Sequence, residues 1–93
     1  MSRTNATSVW DQIEPDSGQA AALAARSALM HAIRDCVEGW KTTQTDAARR
    51  LGITQPRLNA LLRGRLDRFS LDALIALATS AGLHVTISVQ KAA

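Results

Sequence analysis

The chain has 93 residues, 11 Lys and Arg against 8 Asp and Glu, and an apolar share of 46%. That length allows one small domain and excludes a second independent core, while the apolar share excludes a disordered chain. With one cysteine and two histidines, an internal disulfide and a zinc-type ligand set are both excluded.

Most of the apolar content is Ala and Leu, with no Tyr and one Phe, and both are strong helix formers. The chain is therefore expected to be mainly helical. The longest uncharged apolar runs, Ala20–Ala25 and Ala73–Ala78, are far too short to cross a bilayer. Residues 1–8 lack the apolar stretch of a secretory signal, so a cytoplasmic protein is expected, with no membrane partner.

Charge is unevenly distributed. Residues 1–40 carry three arginines against five carboxylates, a balance of −2. Residues 41–68 carry Lys41, Arg49, Arg50, Arg57, Arg63, Arg65 and Arg68 against Asp46 and Asp67, a balance of +5. An arginine-rich block suits phosphate, whose oxygens match the guanidinium fork, although a solvated face of ordinary arginines reads the same way.

In chain order, residues 1–18 read as a tail. Val9, Trp10 and Ile13 form a small apolar hook in it, better suited to anchoring the tail than to holding a partner. Gln19–Glu38 reads as a long helix with Leu29, Ile33, Cys36 and Trp40 on one stripe, widened by Met30 and Val37. Gly39 is its expected stop. Thr43–Leu51 is a second helix, capped by Thr43, favoured by Asp46 in its first turn and closed by Gly52. Thr54–Arg63 is a third, capped by Thr54, with Pro56 in the tolerant first turn and Gly64 beyond its end. Ser70–Ala81 is a fourth, with Ser70 as cap and Gly82 as terminator. These elements make residues 19–82 the helical domain.

At Leu83 the period changes. Leu83, Val85, Ile87 and Val89 alternate with His84, Thr86 and Ser88, which predicts a strand over 83–89 within a terminal segment 83–93. A lone strand leaves its backbone donors and acceptors unpaired. The expected supplier of the second strand is an identical chain across a two-fold axis, through Leu83, Val85, Thr86, Ile87 and Val89. A different protein adding its own strand is the alternative.

The segment from Thr43 to Gly64 carries the functional pattern. Two short helices flank Gly52-Ile53, the first lined by Ala47 and Ala48 and the second by Leu58, Leu61 and Leu62. Small residues permit close packing, the glycine permits a left-handed turn, and Ile53 plugs the corner. The second helix of such a pair presents its N-terminal half to the DNA major groove.

This stretch resembles the Cro/repressor (XRE) family of helix-turn-helix proteins, which includes the phage λ and 434 repressors. The resemblance implies a λ-repressor-like domain that binds double-stranded DNA at a palindromic operator as a homodimer. Gln44 and Gln55 match the family's paired glutamines. The resemblance implies that Gln55 reads an adenine edge and that Gln44 buttresses it and touches phosphate. Arg57 stands where a guanine contact is feasible, and Asn59 suits phosphate or water equally. Thr43, Thr54, Pro56, Arg63 and Arg65 complete the expected interface, with Arg49 and Arg50 as further phosphate contacts.

Arg26–Met30, Gln44, Ala47–Gly52, Gln55–Arg57, Leu62–Gly64 and Phe69–Asp72 together are similar to HigA-type antitoxins. That similarity implies an autoregulating repressor encoded beside an mRNA-cleaving toxin. A stand-alone XRE-type regulator and an interaction module on the same scaffold are the alternatives. No catalytic site or cofactor is expected. His31 and His84 read as surface residues, and Cys36 lies on the apolar stripe.

Overall fold

A computed structural model of the chain describes residues 17–91. The order of elements is α1 (Ser17–Trp40), α2 (Gln44–Leu51), α3 (Gln55–Leu62), a 3-10 turn (Leu66–Arg68) and α4 (Leu71–Ser80). The fold is mainly helical, as expected. The apolar hook of Val9, Trp10 and Ile13 lies outside the described residues.

Three helices start in the same way. Thr43 Oγ1 accepts from the Asp46 amide at 3.1 Å, Thr54 Oγ1 from the Arg57 amide at 3.3 Å, and Ser70 Oγ from the Ala73 amide at 3.1 Å. Each hydroxyl satisfies a first-turn donor that has no intrahelical partner, a contribution of about 1 kcal/mol. Gly52, Gly64 and Gly82 follow helix ends at φ of 74°, 75° and 90°. Gly52 is the one the bend depends on. Its amide donates back to Ala48 and Arg49, reversing the chain within a single residue.

The core is one cluster. Met30, Ile33 and Val37 of α1 meet Ala47, Ala48 and Leu51 of α2, Leu58 and Leu61 of α3, Phe69, and Leu74, Leu77, Ala78 and Ala81 of and after α4. Within α1 the stripe is centred on Met30, Ile33 and Val37. Leu29, Cys36 and Trp40 flank it as half-buried residues. The Cys36 thiol donates to the Ala81 carbonyl at 3.5 Å, joining α1 to the end of α4.

One expectation is corrected. Gly39 does not stop α1, which continues through Trp40; the left-handed residue is Lys41, at φ 51°. A Cβ at Gly39 would meet nothing within 4 Å, so neither a close approach nor a turn requires glycine there. Segment 83–89 is expected to pair with a second chain, and within one chain it forms no strand, for the described residues contain none. The physical reason is that helices complete their hydrogen bonds within themselves, whereas a strand exists only through a neighbour. Alternation persists in part, with Leu83 and Val85 half-buried against the core while His84 and Thr86 face solvent. Beyond them, Ile87 and Val89 are 78% and 88% exposed.

Candidate nucleic-acid interface

The geometry of the interface is set by what α2 and α3 bury. Ala47 and Ala48 are buried in the angle between the helices, and Ile53 packs half-buried at the corner, its amide bonded to the Ala48 carbonyl at 3.0 Å. Methyl side chains at 47 and 48 let the helices approach closely. A larger residue there would push them apart and re-aim α3.

Leu58 and Leu61 turn inward from α3 and are fully buried. The opposite face is then dictated by the helical repeat. Gln55, Asn59 and Arg63 recur every four residues and are all exposed. They form an outward stripe about 12 Å long, at 1.5 Å per residue. Pro56 is exposed beside it at the start of the helix.

At the head of the stripe, the two helices meet through side chains. Gln55 Nε2 donates to Thr45 Oγ1. The residue that holds Gln55 is thus Thr45, immediately after Gln44, which is itself exposed at the start of α2. The family resemblance pointed to Gln44 alone. A signal for Thr45 was present in its place one residue further into the first turn of α2, but only the helix–helix angle shows which of the two faces α3.

Arg57 is placed differently from its neighbours on α3. It is half-buried, its guanidinium lies 4.3 Å from the centre of the Phe69 ring, and Nη1 donates to the Arg68 carbonyl at 3.3 Å. It ties α3 to the 3-10 turn and is engaged within the fold instead of extending freely from the stripe. Phe69 is buried in the core, whereas Trp40 is half-buried and carries the Arg50 guanidinium at 4.0 Å.

The remaining cations line the same region with easily exchanged partners. Arg49 pairs with Asp46 at 2.9 Å, and Asp67 lies between Arg65 and Arg68 at 3.9 and 3.8 Å. All these side chains are substantially exposed. Pairs of this kind contribute about 0–1 kcal/mol, so their arginines can turn to phosphate at small cost. Arg63 makes no ion pair among the described residues. The structure thus brings together Thr43, Gln44, Thr54, Gln55 and Pro56 at the paired helix starts, with Asn59 further along α3 and Arg63 as its C-terminal cap. Arg65 lies beyond α3, ahead of the 3-10 turn.

Comparison with known proteins agrees with this geometry. Residues 13–90 match a family model described as a helix-turn-helix domain. A solved chain named as a putative XRE-family transcriptional regulator is 30% identical, covers 80% of this chain and 83% of its own length, and superposes with a TM-score of 0.73. No curated protein matches the chain.

Proposed function

The chain belongs to the XRE-type helix-turn-helix family of DNA-binding transcriptional regulators, and from that premise we propose that it is a dimeric repressor of a palindromic operator. The observation that carries the reading is the outward stripe of Gln55, Asn59 and Arg63, headed by an exposed glutamine braced from the neighbouring helix. A glutamine amide both donates and accepts, and so matches adenine N6 and N7 in the major groove. Arg49, Arg50, Arg63 and Arg65 supply phosphate contacts, with Thr43, Gln44, Thr54 and Pro56 at the helix starts beside them. Arg57 contributes to the interface by holding the 3-10 turn against α3.

Two-fold pairing is supported by the terminal segment. Leu83 and Val85 pack against the core while Ile87 and Val89 are left exposed. The segment borders an apolar groove of about 520 Å³, lined also by Ala28, Ala32, Leu71 and Ile75. Antiparallel pairing of Leu83, Val85, Thr86, Ile87 and Val89 with a second copy would satisfy the backbone and bring Ile87 and Val89 under cover. Two α3 helices about 34 Å apart would then meet successive major grooves.

The test is binding to a duplex that the full chain selects from random sequence. Gln55→Ala loses about 1–3 kcal/mol on that duplex and relaxes the preference at one base pair. Affinity falls steeply with salt as counterions are released. An equal loss on random DNA, or an affinity indifferent to salt, would overturn the reading.

The role of antitoxin rests on the resemblance to HigA-type proteins and on the acidic balance of residues 1–40, which suits a basic toxin. Co-expression decides it. The neighbouring reading frame must be toxic alone and harmless beside this chain. Survival with either gene alone leaves a stand-alone regulator.

A further inference from the structure

Away from the outward stripe of α3, one cation of the fold lacks an acceptor. Arg34 is half-buried on α1 and its Nε is fully enclosed, yet no group among the described residues accepts a hydrogen bond from it. Its guanidinium joins no ion pair among those residues either. Carboxylates stand close in sequence but are not drawn to it. Asp35 pairs with His31 at 3.6 Å, and Glu38, one turn further along the helix, makes no ion pair with it. A buried charged N–H without an acceptor is among the costliest groups a fold can hold, and native structures almost always give it a protein group, a water or an ion.

The surroundings of Arg34 say which partner fits. A recess of about 110 Å³ opens beside it, lined by Ser27, Met30, His31, Arg34, Gly64 and Leu66. Ser27, His31 and Arg34 follow helical spacing and so share a face of α1. The opposite wall is the turn after α3. A Cβ on Gly64 would lie 3.6 Å from Arg34 Nη1, so the guanidinium rests against bare backbone there. The amides of Gly64, Arg65 and Leu66 already donate to the carbonyls of Leu61, Ala60 and Gly64. Donors to a ligand are thus left to side chains, the fork of Arg34 and the exposed Ser27 hydroxyl. Arg26 adds a second guanidinium on the same wall, its Nη1 donating to the Leu66 carbonyl at 3.3 Å. Among the described residues no carboxylate lines the recess. That volume admits one tetrahedral oxyanion, and a guanidinium fork matches phosphate oxygens.

We propose that this recess is a phosphate-binding site, with Arg34 as its chief ligand and Ser27 as a further donor. Only the phosphate group itself enters, so it comes either free in solution or on the backbone of a bound duplex. The recognition chemistry is the same in both cases. Once seated, the phosphate ties α1 to the turn that ends α3.

The first arm of the test uses the full chain without DNA, melted in sodium phosphate and in sodium chloride at equal ionic strength. Inorganic phosphate at about ten times its dissociation constant raises the wild-type melting temperature by about 5 °C or more. Arg34→Met keeps the aliphatic stem and loses no internal partner, so it melts at or above the wild-type temperature in chloride. It gains nothing from phosphate beyond the general salt effect. Ser27→Glu sets a carboxylate over the recess and removes the phosphate response with the arginine intact.

The second arm follows duplex affinity against sodium chloride concentration for the wild type and Arg34→Met. If the duplex supplies the phosphate, the variant binds selected and random duplexes more weakly by a similar factor. The slope of log affinity against log salt then falls by about 1. If free phosphate is the ligand, that slope is unchanged and only the melting response is lost. The proposal falls if Arg34→Met responds to phosphate as the wild type does and also keeps the wild-type salt slope. It falls as well if Arg34→Met destabilises the chain in chloride while Ser27→Glu leaves the phosphate response intact, for Arg34 is then a structural strut. Failure of the operator reading leaves the first arm untouched, because that arm contains no DNA.

Discussion

The bend between α2 and α3 and the terminal segment after α4 both carry clear patterns, yet only the bend is complete within one chain. At the bend, every local signal has its partner within a few residues: a hydroxyl for an amide, a left-handed glycine for the reversal, two alanines for close approach. In the terminal segment, alternation is equally plain, but Ile87 and Val89 remain in solvent and no strand forms among the described residues. The difference lies in where each backbone finds its hydrogen bonds. A helix closes them four residues away, whereas a strand must borrow them.

Substitutions can break this comparison or sharpen it. The largest effect is expected from Leu58→Ala, at a side chain with no exposure. It should cost about 2–5 kcal/mol in urea unfolding, with DNA binding lost in proportion to the folded fraction. Ile87→Ala at low protein concentration should change the same measurement by less than about 0.5 kcal/mol. Comparable losses at the two sites would mean that the terminal segment is as much part of the subunit core as the bend.

Next comes Ile87→Glu, followed by sedimentation. A buried charge in a shared ribbon should raise the dimer dissociation constant at least roughly tenfold, about 1.4 kcal/mol, without altering subunit stability. An unchanged association would remove Ile87 from the pairing surface. Thr54→Ala removes the cap of α3 and should cost about 1 kcal/mol. Smallest are two stabilising changes at the end of α1. Lys41→Gly relieves a left-handed residue and Gly39→Ala replaces a helical glycine beside open space, each gaining roughly 0.5–1 kcal/mol in thermal unfolding. A loss at either position would show that the chain needs its present path into α2.

Legibility in the sequence varied in the same way. Helix starts at Thr43, Thr54 and Ser70 were readable because a hydroxyl three residues ahead of its amide is a local relation. The end of α1 was misplaced by two residues, since a glycine signals a stop only where the chain must turn, and here it turns at Lys41. The 3-10 turn at Leu66–Arg68 is too short to show a period, and so gave no signal. At the interface, Gln55, Arg57, Asn59 and Arg63 are expected together, and the exposed stripe keeps only Gln55, Asn59 and Arg63. Gln55 and Arg57 stand two residues apart, yet one is exposed and the other half-buried against Phe69. That partner arrives from outside the helix.

Amino-acid order alone was enough for the helical class, the caps and the alanine-lined angle, because each depends on neighbours within one or two turns. The packing of distant segments was needed to reveal that Thr45 holds Gln55, that Phe69 engages Arg57, and that residues 83–91 find no partner strand among the described residues of their own chain. These relations join groups at least ten residues apart or concern a bond that one subunit does not supply. Local propensity has no reach over such distances; only the close-packed arrangement of the helices brings those groups together.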